Sequence, residues 1–258
     1  MQAVLSMAGF RAFYDFQGLE KRAGDILALS EDESRHLCGS LRAVETDKVD
    51  AFDLRGFAYS CVVARADKKR AELAVTGKIS APADAPKVCL AQCLPKGKVF
   101  DDIIRQAVEI GASGIFPIVS RRCQVRFDSP ADAVKKREKW TAHVIEAVKQ
   151  SANFFPFEIY APASFEEFLS NMPNFGLKIT ASLESGARPI LEILESLPAE
   201  SVCILIGPEG DMAPEEYAAA KERGFLPATL GANVMKCDTA AIFALSAAKA
   251  FFAKKVGH

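Results

Sequence analysis

No uncharged hydrophobic run in this sequence approaches the roughly 18 residues that span a bilayer. The opening stretch MQAVLSMAGFRAF has no long apolar core after a basic start, so no secretory leader is expected, and a soluble cytoplasmic protein is. Neither sign of charge dominates: 32 basic residues face 33 acidic ones, so no global field draws a polyanion and a nucleic-acid role requires a local basic patch. Histidine is scarce. His36, His143 and His258 lie away from any cysteine pair and form no HExxH frame, so no metal is expected. The seven cysteines, at 38, 61, 89, 93, 123, 203 and 237, lack paired CxxC spacing, and several sit in apolar runs such as KVCLAQC and SVCILIG. They suit small buried hydrophobes in a reducing compartment. No GxGxxG follows a strand and no GxxxxGK[ST] occurs, so a dinucleotide site and a Walker loop both lack their phosphate cradles. Repeats and low-complexity tracts are also missing.

What is present is a chain of 258 residues, half of them hydrophobic, enough for a sizeable core in one large domain or a small domain joined to a medium one. Residues 1 to 78 are β-like: KVDAFD, AYSCVVARA and AELAVTGKI read as strands separated by short turns, which predicts a small barrel. The proline- and alanine-rich SAPADAP predicts a linker over 79 to 86. From 87 to 258 strands and helices alternate. Strand candidates are KVCLAQCLP, GIFPIV, FEIYA, LKITASL, SVCILIG and FLPATLG. In FDDIIRQAVEIG, Ile104, Ala107, Val108 and Gly111 share a helical face, and further helices are expected near 131 to 150, 164 to 171, 189 to 196, 214 to 223 and 239 to 255. The fold class is α/β, a mostly parallel sheet covered by helices on both faces.

Two stretches carry the functional signal. LIGPEGDMAPEE breaks a buried strand into Gly207, Pro208, Glu209 and Gly210 before a helix restarts at Pro214, at the strand end where open parallel sheets bind ligands. A tight turn and a ligand site are both compatible with those letters, and the carboxylates of Glu209 and Asp211 favour a cationic ligand over phosphate. In LGANVMKCDTAAIFAL a strand ends at Leu230 and Gly231, an irregular turn follows, and Asp238 or Thr239 is the expected helix cap. The helix is apolar almost all round, so Ala240, Ala241, Phe243, Ala244, Ala247, Ala248 and Phe251 are expected to be deeply buried.

At these stretches, and at RAFYDF, HLCGSLRAVETDKVDAFD, PKGKVFDDIIRQAVEIGASGIFPIVSRRCQV and EAVKQS, the chain resembles the SPOUT methyltransferases. It is most similar to the ribosomal RNA small-subunit methyltransferase E family. The resemblance implies an N-terminal PUA-like RNA-binding β-barrel and a C-terminal SPOUT α/β domain with a deep trefoil knot. It also implies methylation of uridine N3 in 16S rRNA of the small subunit with S-adenosylmethionine as cofactor, and a homodimer. Carried over, the cofactor-binding residues are Leu183, Ile206, Gly207, Pro208, Glu209, Gly210, Leu230, Gly231, Val234, Met235 and Thr239. Lys236, Asn233 and Glu209 are the candidate catalytic residues. His36, Arg42, Lys96 and Arg122 are the candidate RNA contacts, with Lys98, Arg121, Arg126 and Lys149 as additions. The family carries arginine at Asn233, Lys236 and Asn153, glutamate at Asp238, glycine at Asp211 and lysine at Gln106. The second reading, from a different class, is a non-catalytic RNA-binding or ribosome-assembly factor with a degenerate site; a third is an enzyme on another anionic or nucleotide substrate.

Overall fold

The computed structural model describes residues 9–79, 86–196 and 199–256. The chain divides into two compact units, one of Met1–Ala83 with Val148–Phe157, the other of Asp84–Ala147 with Glu158–His258. The linker expected over 79 to 86 falls almost wholly outside the described residues, as does His258.

In the first unit the elements are β1 (Phe10–Phe13), β2 (Ile26–Ala28), α1 (Glu31–Ser34), β3 (Lys48–Phe52), β4 (Ala58–Arg65) and β5 (Glu72–Lys78). Their sheet runs β1-β3-β4-β5-β2. Antiparallel pairing joins all neighbours except β1 and β3, which are parallel. Register shifts at Ser60/Cys61 and Val63/Arg65 in the β4–β5 ladder bend the sheet around its core of Phe16, Leu27, Leu37, Val49, Tyr59 and Leu73. Asp53 shapes the β3–β4 connection by accepting the backbone N–H groups of Arg55 and Phe57 at 2.8 and 2.9 Å. Burial pushes its carboxyl above the usual carboxylate range.

The second unit contains β6 (Lys87–Cys93), α2 (Val99–Ile110), β7 (Gly114–Val119), α3 (Pro130–Ser151), β8 (Glu158–Ile159), β9 (Ala163–Ser164), α4 (Phe165–Asn171) and β10 (Leu177–Ala181). There follow β11 (Arg188–Pro189), α5 (Ile190–Ser196), β12 (Ser201–Ile206), α6 (Pro214–Glu222), β13 (Leu226–Thr229) and α7 (Cys237–Val256). The last residues of α3, from Val148, belong to the first unit. Among the described residues, eight strands form one sheet, β11-β13-β10-β12-β6-β7-β8 with β9 beside β7, and every pairing is parallel. The central strands read as continuous apolar runs because both faces are covered. Helix α7 packs on β6, β12, α2 and α5, and α4 packs on β7 and α6. A shared direction brings the C-terminal ends of β6, β10, β12 and β13 to one edge, where the loops that follow them meet.

Two expectations for α7 need correction. The helix begins at Cys237, so Asp238 and Thr239 sit in its first turn rather than capping it. Its burial is one-sided: Ala240, Ala241, Ala244, Leu245, Ala248 and Phe252 are buried, whereas Phe243 is 43% exposed and Ala247 and Phe251 are half-buried. One face meets the sheet, α2 and α5; within a single chain the other is open.

All seven cysteines are free, and all but the half-buried Cys38 are buried. Burial pushes the Cys61 and Cys89 thiols up to about 12. Among the described residues, no helix is long and apolar enough to cross a membrane, and no group of three or more His, Cys, Asp or Glu could hold a metal ion.

Candidate active site

The loop after β12 answers why glycine, proline and glutamate stand together at a strand tip. It is stitched to the loops after β6 and β7. The Glu209 carboxylate accepts the backbone N–H of Lys96 at 2.9 Å, and the Arg122 guanidinium donates to the Gly210 carbonyl at 3.0 Å. Glu216, 5% exposed, accepts Arg121 N–H on one oxygen and Ala213 N–H on the other, both at 2.8 Å. It thereby supplies the opening amide of α6, whose N-cap Ala213 has no side-chain acceptor. Gly207 packs tightly: a Cβ there would lie 3.3 Å from Met212 Cγ and 3.4 Å from Met212 N.

Beside this loop lies a cavity of about 630 Å³, within the range of about 300–1,000 Å³ usual for small-molecule sites. Its walls come from the ends of β10 (Ala181, Ser182, Leu183), β12 (Ile206 to Glu209, Asp211) and β13 (Thr229 to Gly231) and from the turn into α7 (Asn233 to Asp238). Val99 and Tyr217 complete it from α2 and α6. Gly231 has φ 141, in the left-handed half of backbone space that favours glycine, and the Thr229 hydroxyl braces it by accepting its N–H and donating to its carbonyl. Three carboxylates, Glu209, Asp211 and Asp238, line the cavity against one cation, Lys236. The Cys237 thiol, also in the wall, is pushed up to about 11 by burial first and then by the charges of Glu209 and Asp238.

Residues 83–249 match the RNA methyltransferase domain family, and residues 29–76 match the RNA methyltransferase PUA domain. A ribosomal RNA small subunit methyltransferase E from Aquifex aeolicus is 30% identical over 229 residues, which is 88% of this chain and 95% of that protein. This chain belongs to the ribosomal RNA small subunit methyltransferase E family. The methyltransferase E of Bacillus subtilis is 28% identical over 92% of this chain and 94% of its own. Two solved structures extend the likeness to three dimensions. A methyltransferase from Legionella pneumophila, in complex with the cofactor SAM, superposes with a TM-score of 0.82 at 26% identity, covering 94% of this chain and 97% of its own. The methyltransferase E of Neisseria gonorrhoeae, bound to S-adenosyl methionine, gives 0.81 at 25% identity, covering 93% and 97%.

In this chain the cavity brings together Leu183, Ile206, Gly207, Pro208, Glu209, Leu230, Gly231, Val234 and Met235, with Asn233 and Lys236 among them. Gly210 and Thr239 are not in its wall. The Gly210 carbonyl is taken by Arg122, and Thr239 is exposed in the first turn of α7. Lys96 and Arg122 flank the same loop, both exposed, while half-buried His36 and exposed Arg42 lie in the first unit. Arg42 has φ 60. Sequence reasoning missed Tyr217, Ser182, Thr229 and Cys237. For Tyr217 a signal existed: it stands three residues after Pro214, on the first turn of the helix the glycine-rich loop launches.

Proposed function

We propose that this protein methylates N3 of a uridine in 16S rRNA of the small ribosomal subunit, using S-adenosylmethionine. The observation that carries the proposal is the cavity formed by the ends of β10, β12 and β13, in a chain whose family includes structures with that cofactor bound. The residues present fit it. Loop backbone and apolar side chains such as Leu183, Ile206, Val234 and Met235 suit a nucleoside, and the excess of carboxylate over lysine suits a sulfonium. When bound, the cofactor supplies an electrophilic methyl group. The chain's own part is placement: the three strand-end loops hold the donor, and Lys236 and Asn233 orient the base or a phosphate. Glu209 buttresses the loop through Lys96. Because N3 lies on the Watson–Crick edge, the target uridine must be unpaired or extruded. The trefoil knot, the domain boundaries and action in the cytoplasm are part of the same proposal. So is preference for the assembled subunit over naked RNA, since a net charge of −1 provides little pull on loose RNA. Transfer of label from tritiated S-adenosylmethionine to purified small subunits from a deletion strain tests it; no heat on titrating the cofactor would favour the non-catalytic assembly factor.

The RNA contacts proposed are His36, Arg42, Lys96 and Arg122. Subunit affinity is expected to fall steeply with salt, and Arg42→Ala or Lys96→Ala to lower the slope of log affinity against log salt by about 1 each. Slopes equal to wild type would remove those residues from the interface. A homodimer is proposed through the open face of α7, where Phe243 is 43% exposed, with Leu183 and Val234, 68% and 78% exposed at the cavity, as further apolar surface. Light scattering at micromolar concentration is expected to give a mass near twice the chain's 27.9 kDa, and a monomer would count against it.

A further inference from the structure

Asp211 is a non-glycine residue in the left-handed region, φ 62, within the cavity wall. Such a backbone is disfavoured for a residue with a Cβ, although aspartate tolerates it better than most because its side chain bonds locally. Here Oδ1 accepts the Met212 N–H at 2.8 Å and the Tyr217 hydroxyl at 2.6 Å. Oδ2 has no protein donor among the described residues. Tyr217 comes from the first turns of α6, is half-buried, and its hydroxyl also lies 3.4 Å from the Ala181 carbonyl at the end of β10. Burial, and after it the hydrogen bond and charge of Asp211, push the phenol above its ordinary value, so Tyr217 acts as a neutral donor. One carboxylate oxygen is therefore held, while the other, on a residue of the cavity wall, keeps its hydrogen-bonding capacity.

The field around that oxygen has a definite sign. Glu209 and Asp238 reinforce it and Lys236 alone opposes it among the cavity-lining residues, three anions against one cation. Methyl transfer changes the charge of the cofactor by one unit: the C–S bond breaks with its electron pair staying on sulfur, so a sulfonium becomes a neutral thioether. A wall that interacts with charge distinguishes those two species, which are otherwise nearly the same shape. We propose that Asp211, locked by Tyr217, is a charge-selecting residue of the cofactor cavity that favours the sulfonium donor over the neutral thioether product. The proposal rests on the reading of this cavity as the cofactor site. Its functional consequence is release: the product leaves a site that holds the donor.

Calorimetric titration of S-adenosylmethionine and S-adenosylhomocysteine into wild type, Asp211→Asn, Asp211→Gly and Tyr217→Phe tests it without any turnover. Asparagine keeps an oxygen for Met212 and Tyr217 but removes the charge. Glycine relieves the left-handed backbone, so at least one variant folds without added strain. A single charge across a partly screened cavity predicts an affinity loss for S-adenosylmethionine of about 5- to 10-fold in both Asp211 variants. S-adenosylhomocysteine affinity is expected to change by less than about twofold, and Tyr217→Phe to shift the ratio the same way by about 2-fold as the lock loosens. Equal losses for both compounds would overturn the proposal, because the carboxylate would then face a group the two share. Unchanged affinities for both would also overturn it and make Asp211 a turn residue, leaving the cofactor site standing. Failure of wild type to bind either compound would overturn the site reading and the proposal together.

Discussion

Gly231→Val is expected to lower affinity for S-adenosylmethionine at least about 100-fold while lowering the melting temperature by only a few degrees. Two effects combine. At φ 141 a branched residue is strained, and relaxing it moves the turn that lines the cavity, a cost of about 1–3 kcal/mol before any contact is counted. No heavy atom lies within 4 Å of the Cβ position, so nothing in the core is displaced, and the added side chain is free to occupy space the ligand needs. Gly207→Val differs in mechanism. Its Cβ would press on the buried Met212, so cofactor affinity and thermal stability are both expected to fall. Calorimetry paired with a thermal melt separates the two, and unchanged affinity in the Gly231 variant would remove that turn from the site.

Lys236→Ala is expected to lower turnover on small subunits by about 100-fold, the scale on which removal of one preorganised charged or donor group from an active site acts. Cofactor affinity should not follow. Lys236 shares the cavity wall with Glu209, Asp211 and Asp238, so removing it makes the wall more anionic and tightens the hold on a sulfonium. Its backbone role survives the change, because the Lys236 carbonyl that accepts the Ala240 N–H at 2.8 Å belongs to the main chain. Steady-state methyl transfer and cofactor calorimetry on the same preparation check both halves. A large loss of cofactor affinity would assign Lys236 to cofactor binding instead of substrate orientation. Lys236→Arg keeps the charge and adds a planar fork, and is expected to retain activity.

The parallel sheet and its cavity were legible because local pattern and position agreed. β7 and, from Val202, β12 are apolar runs, β6 is broken inside only by Gln92, and the glycines after Ile206 and Leu230 follow strands at the edge where ligands bind. Features that depend on distant partners were not. The parallel pairing of β1 with β3, and the assignment of Val148–Phe157 to the first unit, depend on contacts far apart in sequence. The π-helical Arg35–Ser40 has no signature in residue type. Within the site, Glu209 was expected as a cofactor-binding and candidate catalytic residue, but not its partner, the Lys96 amide 113 residues away. Asp211 stood out as a departure from glycine and as a carboxylate that favours a cationic ligand; its bond to Tyr217 requires the fold of α6. The apolar letters of α7 argued for burial all round, yet burial depends on neighbours, and in one chain Phe243 has too few.

The most direct measurement digests small subunits to nucleosides after incubation with this protein and tritiated S-adenosylmethionine, and identifies the labelled species by chromatography against standards. Label co-eluting with 3-methyluridine, released from 16S rRNA and lost with Gly231→Val, is the predicted result. Label on a cytidine, a guanosine or ribosomal protein would contradict it.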